Sequence, residues 1–168
     1  MSRGPTRSPE PRSGGAGEAL AAQWLVRRGF RLKARNLRTR HGEIDLLLQQ
    51  RRTWIAVEVK ARRDHPAPER IVDGQRLDRL ARALLALAPE LQPRPLHLRI
   101  DAVAVRWRAD REPEVSHFPA LRCFAADGRG GYALAPAPAL GSWLRRKAAW
   151  LLGLIQRGRR KCRPSANR

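Results

Sequence analysis

Apolar side chains recur along this chain in two rhythms, and each rhythm marks a kind of element. Two short runs rich in Val, Ile and Leu, at residues 44–48 and 54–59, flank Gln49-Gln50-Arg51-Arg52. That arrangement predicts a β-hairpin with a polar loop. In its second strand side chains alternate, so Trp54, Ala56, Glu58 and Lys60 share one face and Ile55, Val57 and Val59 the other. By the same parity Glu43 and Asp45 share a face of the first strand. Residues 96–107 alternate as a third long strand, with Leu96, Leu98, Ile100, Ala102 and Ala104 opposite Arg99 and Asp101. Two short edge strands are expected at 115–118 and 121–124, on either side of Pro119.

The helical rhythm occurs twice in the same region. Leu77, Leu80, Ala81, Leu84, Leu85 and Ala88 predict a helix from Gly74 to about Ala88, with Asp73 as its N-cap. An earlier helix should begin near residues 15–18 and stop at Gly29, a C-terminal glycine cap. On it Glu18 shares the inward face with Ala21, Ala22 and Leu25. Between that helix and the hairpin, Phe30, Leu32 and Leu37 indicate a partly buried extended segment. Residues 62–72 and 89–95 read as connectors. Residues 1–14 have the composition of a disordered tail. Residues 128–138 read as a flexible linker, and 143–156 as a short basic amphipathic helix. One domain over 15–126, with tails at 1–14 and 127–168, follows.

Charge inside the hairpin changes this picture. A lone Glu or Lys on a strand is usually a solvated group, but Asp45, Glu58 and Lys60 interrupt apolar runs, where unpaired charge is expensive to bury. Together with Glu43 they would place three carboxylates and one ammonium on one patch. Hard oxygen donors of that kind suit Mg²⁺ or Mn²⁺. Only four of the 35 basic residues are Lys, so a Lys at position 60 stands out against an Arg-rich background. An ammonium is a compact charge with a tunable pKa, which a guanidinium is not.

An Asp followed across a hairpin by Glu-x-Lys resembles the PD-(D/E)xK nuclease superfamily, with Asp45 as the Asp and Glu58-Val59-Lys60 as the Glu-x-Lys. The surrounding residues are more specific. Gly17-Glu18, Asn36, Gly42-Glu43-Ile44-Asp45-Leu46, Val57-Glu58-Val59-Lys60 with Arg62, and Ile100-Asp101-Ala102-Val103 occur in that order. They resemble the bacterial YraN-like family (UPF0102), whose members are similar in sequence to archaeal Holliday-junction resolvases. The resemblance covers roughly residues 14–124. It implies an α/β fold of restriction-endonuclease type, a mixed sheet of about five strands flanked by helices. It also implies a Mg²⁺- or Mn²⁺-dependent endonuclease acting on branched or junction DNA, the alternative being a non-catalytic nucleic-acid-binding protein on the same scaffold. Asp45, Glu58 and the Val59 carbonyl would hold the metal, and Lys60 would orient a water or stabilise an anionic oxygen. Glu18, Glu43, Gln75 and Asp101 stand as supporting site residues; Asp101 has pairing with an Arg as its other reading.

The formal net charge is +20, of which residues 15–127 carry +8 and residues 128–168 carry +10. Such a balance implies a polyanionic partner, with DNA first and an anionic membrane surface, through the basic tail, second. Seven basic residues lie within 27–40. Arg35, Arg38 and Arg40 from that segment, with Arg62 and Arg76, are the candidate nucleic-acid contacts, against the plainer reading of solvated charge. A second copy of the chain is a further candidate partner. Cys123 and Cys162 form neither a metal spacing nor a disulfide framework, and Cys123 reads as a buried small residue. No signal-like apolar stretch precedes Ala19, and the apolar run at 148–152 is too short to span a bilayer. A cytoplasmic location is the expectation.

Overall fold

A computed structural model of the chain describes residues 14–62, 72–108 and 111–136. The elements run α1 (Gly14–Val26), β1 (Arg31–Thr39), β2 (Gly42–Gln50), β3 (Thr53–Arg62), α2 (Gly74–Leu87), β4 (His97–Arg106), β5 (Glu114–Ala126) and β6 (Tyr132–Leu134). A single 3₁₀ turn, Ala88–Glu90, extends α2. The six strands form one sheet in chain order, β1-β2-β3-β4-β5-β6. Only β3 and β4 run parallel; every other neighbouring pair is antiparallel. The fold is therefore α/β with a mixed sheet, consistent with the restriction-endonuclease type.

The parallel pair requires a crossover, and α2 supplies it. Leu80, Ala81, Ala83 and Leu84 of α2 pack with Leu47, Trp54, Ala56, Leu98, Ile100 and Phe124 on one face of the sheet. On the other face, Ala21, Ala22 and Leu25 of α1 pack with Leu46, Leu48, Ile55, Val57, Val103 and Val105. Strict alternation in β3 and β4 delivers apolar residues to both faces, so these strands form the middle of three layers. Helix α1 ends as expected: Gly29 has φ 86, its N–H donates to the Val26 carbonyl, and Phe30 N–H donates to that of Leu25.

Three features depart from expectation. Strand β5 is one long strand, not two short ones, because the break near Pro119 is a bulge. There Ala120 takes φ 60 and the β4–β5 register shifts between Ile100 and Ala102. It is also internal, since β6 lies beyond it. The chain after Ala126 accordingly does not leave the domain as a linker. Asp127 Oδ1 accepts from Arg129 N–H and Gly131 N–H, closing a tight turn. The chain then returns as β6, where Tyr132 pairs with Ala126 and its hydroxyl donates to the Pro95 carbonyl. Three residues are too few to show a period, which is why composition alone reads this stretch as a linker. Finally, β2 breaks alternation at Asp45: Ile44 and Leu47 both pack on the α2 side. Opposite that break Asn36 has φ 50, and the β1–β2 register skips the pair. The parity that put Glu43 and Asp45 on one face does not hold through it.

No helix among the described residues is long and apolar enough to cross a membrane. Residues 1–13 of the tail expected at 1–14, residues 63–71 of the expected connector, the helix expected at 143–156 and Cys162 lie outside the described residues.

Candidate functional site

Beyond Leu46↔Val57 the β2–β3 register ends, and the candidate side chains begin there. Asp45 Oδ2 accepts a hydrogen bond of 2.7 Å from Val59 N–H, so a side-chain carboxylate takes the place of a ladder carbonyl. The Glu58 side chain is only 6% exposed, that of Asp45 15%. Two carboxylates largely out of water need a positive partner, and the first turn of α2 provides it. Asp73 caps that turn by accepting from Arg76 N–H at 2.7 Å. The Arg76 side chain then reaches back to the sheet. Its Nε and Nη2 lie 2.7 and 2.6 Å from Glu58 Oε2, and Nη2 lies 3.5 Å from Asp45 Oδ1. On the other side of Glu58, Lys60 Nζ stands 3.8 Å from Oε1 with its side chain 37% exposed. One guanidinium thus bridges the two carboxylates, while one ammonium faces solvent beside them.

The electrostatics follow from this packing. Burial pushes the Asp45 carboxyl up to about 6; Val59 N–H and Arg76 oppose that rise, and the neighbouring Glu58 and Glu18 charges add to it. For Arg76, burial disfavours the charge, but its hydrogen bond to Glu58 and the nearby carboxylates raise its pKa overall.

Glu18 joins this group from the opposite layer. Gly17 is buried, and a Cβ there would overlap Ala61 Cβ of β3, so its lack of a side chain lets α1 lie directly on the end of that strand. Glu18 consequently acts on Asp45 through space, and its Oε2 is buried without a hydrogen-bond partner among the described residues. That oxygen is an unsatisfied acceptor close enough to raise the Asp45 carboxyl further. The donors available are hard oxygens: Asp45, Glu58 and the Val59 carbonyl, with Glu18 behind. Among the described residues no three His, Cys, Asp or Glu side chains converge closely enough to bind a metal by themselves.

Comparison with known proteins places the chain in a family. The family model described as "Uncharacterised protein family UPF0102" matches residues 17–105. The chain belongs to the UPF0102 family. A UPF0102 protein of Anaeromyxobacter dehalogenans is 41% identical over 121 residues, covering 71% of this chain and 88% of the relative. One from Syntrophotalea carbinolica is 40% identical over 114 residues (67% and 90%), and one from Rhizorhabdus wittichii 40% over 103 residues (61% and 87%). Every candidate carboxylate, Lys60 and Arg76 lie inside the span matched by the UPF0102 model.

The remaining candidates of this UPF0102 chain sort by position. Arg35 and Arg38 are exposed on β1, opposite Leu46 and Glu43, and Arg40 is exposed in the β1–β2 turn. Arg62 is exposed at the end of β3. All four therefore border the end of the sheet that carries Asp45 and Lys60. Arg38 lies 3.9 Å from Glu43, which is half-buried at the site's edge. Gln75 is exposed beside Arg76. Asp101 is not part of the cluster. It is fully buried; its Oδ1 accepts from Arg99 Nε (2.8 Å) and Ala120 N–H (2.9 Å), and its Oδ2 from Arg99 Nη2 (2.7 Å) and His117 Nε2 (2.8 Å). Burial disfavours its charge, yet Arg99 and His117 hold the carboxyl down at about 2. Asp101 fastens the β5 bulge to β4, and the ring of His117 packs edge-on against Trp24 and Phe30. The role of Arg76 between the carboxylates was missed by sequence reasoning. Its signal was available: a β-α-β crossover brings the first turn of the helix over the end of the preceding strand, and the Asp73 cap fixes which residue faces it.

Proposed function

We propose that this protein is a divalent-metal-dependent endonuclease acting on DNA, with branched or junction DNA as its substrate class. The observation that carries the reading is the buried Glu58 and half-buried Asp45, both reached by Arg76 where β2 and β3 part, with the Lys60 ammonium beside Glu58. In this reading Asp45, Glu58 and the Val59 carbonyl hold Mg²⁺ or Mn²⁺, which when bound supplies Lewis-acid neutralisation of phosphoryl charge. Val59 N–H fixes the rotamer of Asp45, so the carboxylate is aimed before any cation arrives. Lys60, half open to solvent, donates to the attacking water or to a non-bridging phosphate oxygen. Arg35, Arg38, Arg40 and Arg62 take the flanking phosphates of the backbone, as the net charge of +20 favours.

A second reading, a nucleic-acid-binding protein without turnover, draws on Arg76, which already balances the carboxylate pair. A cleavage assay on linear, flapped and four-way DNA with Mg²⁺, Mn²⁺ and EDTA separates the two. The nuclease reading expects metal-dependent products, most abundant from branched DNA. Tight binding with no products under any metal would favour the second.

A further inference from the structure

We infer that Arg76 is an exchangeable counter-cation: it occupies the carboxylate pair until a divalent metal displaces it, and the released guanidinium then binds the substrate's phosphate. This rests on the metal-site reading above and adds a device to it.

The geometry makes the two occupancies mutually exclusive. Glu58 Oε2 receives both Nε and Nη2 of Arg76, at 2.7 and 2.6 Å, and Nη2 also faces Asp45 Oδ1 at 3.5 Å. A divalent ion held by those same oxygens and a guanidinium could not both lie between them. Charge-assisted hydrogen bonds are the strong ones, so the apo pair is well satisfied. Without Arg76, two carboxylates 6% and 15% exposed, with Glu18 behind them, would be left with the solvent-facing Lys60, 3.8 Å from Glu58 Oε1, as a weaker counter-charge.

The place of Arg76 in the fold makes its release productive. It sits in the first turn of α2, whose N-terminal N–H groups favour anions. Gln75 and Gly74 beside it are exposed, and its own side chain is 22% exposed. A guanidinium freed from Glu58 has a short route to solvent at the mouth of the site, and its planar fork matches a phosphate. Metal and DNA binding would then be coupled, each raising the affinity for the other.

The test is calorimetric titration of Mn²⁺ into the full chain and its Arg76→Met variant, without DNA. Removing the competing cation should tighten Mn²⁺ binding by about tenfold or more, on the scale of a charged hydrogen bond. Arg76→Lys, which keeps the charge but loses the fork, should move affinity the same way by less, and serves if the Met variant does not fold. The second arm measures the salt dependence of binding to four-way DNA. With Ca²⁺, offered as a non-catalytic stand-in, Arg76→Met should lower the slope of log affinity against log salt by about 0.9; in EDTA the slope should not change. A purely structural Arg76 would not produce that metal-conditional difference. Equal Mn²⁺ affinity in wild type and both variants overturns the exchange while leaving the metal site intact. Absence of Mn²⁺ binding from all three overturns the metal site itself.

Discussion

Replacing Asp45 with Asn should make the protein more stable at neutral pH and unable to use metal. Burial, Glu58 and Glu18 raise the Asp45 carboxyl from 3.8 to about 6. Between those values the folded chain holds the proton more tightly than the unfolded chain, so stability falls as pH rises through the window. Above about pH 6 the cost of ionising Asp45 is fully present; below about pH 4 it is absent. At about 1.4 kcal/mol per unit the cost is about 3 kcal/mol. The site is partly open to water, which cuts the figure to roughly 1–2 kcal/mol. Asn cannot ionise, and its carbonyl still accepts from Val59 N–H. Thermal unfolding of the variant should therefore exceed wild type by roughly 4–8 °C at pH 7.5 and match it near pH 4. Added Mg²⁺ should stabilise the wild type and leave Asp45→Asn unmoved, because only a folded state that binds the ion gains from it. A variant less stable than wild type at pH 7.5, or one that Mg²⁺ stabilises equally, would refute the reasoning.

Other outcomes follow from the same structure. Asp101→Asn should lose about 3–5 kcal/mol in denaturant unfolding, because Arg99 is left buried without its charge partner. The stability that Asp101 confers is present above about pH 4 and should be lost as pH falls towards its folded value of about 2; an acid-unfolding curve shared by variant and wild type would contradict this. Replacing Arg35 and Arg38 with Ala should lower the salt slope of duplex DNA binding by about 0.9 per lost phosphate contact, and an unchanged slope would assign both to solvation. A chain ending after Pro136 keeps β6 and should retain metal-dependent turnover at saturating DNA while needing more DNA to saturate. A chain ending at Ala126 loses the β6 pairing and the Tyr132–Pro95 bond, and should melt lower.

Much of this molecule was legible in its residues, for physical reasons that also explain the misses. Strands β3 and β4 and helix α2 carry long, regular apolar periods, and a period over nine or more residues leaves little choice of element; β2 shows as a short apolar run bounded by turn residues. Glu58 and Lys60 were visible as charges inside such a period. The break at Asp45 was not, because a distorted pair with Asn36 at φ 50 has no compositional mark. Strand β6 was hidden by its length and by the glycines of the turn before it. The buried triad of Arg99, Asp101 and His117 joins residues from two strands through a bulge. No local pattern signals such a contact. Arg76 looked like one more phosphate ligand in a basic chain; only the crossover and the Asp73 cap turn it onto Glu58.

Lys60→Ala puts the central claim to the most direct test, because Lys60 touches the site without holding the metal. Turnover and equilibrium binding would be measured side by side on four-way DNA, with Mn²⁺ for the first and Ca²⁺ for the second. The account predicts that wild type cleaves in Mn²⁺ and not in EDTA, while a folded Lys60→Ala protein binds with nearly unchanged affinity and loses cleavage by about a hundredfold or more, the scale of one lost transition-state donor. Undiminished cleavage by the folded variant would contradict the assignment of this cluster as the catalytic centre.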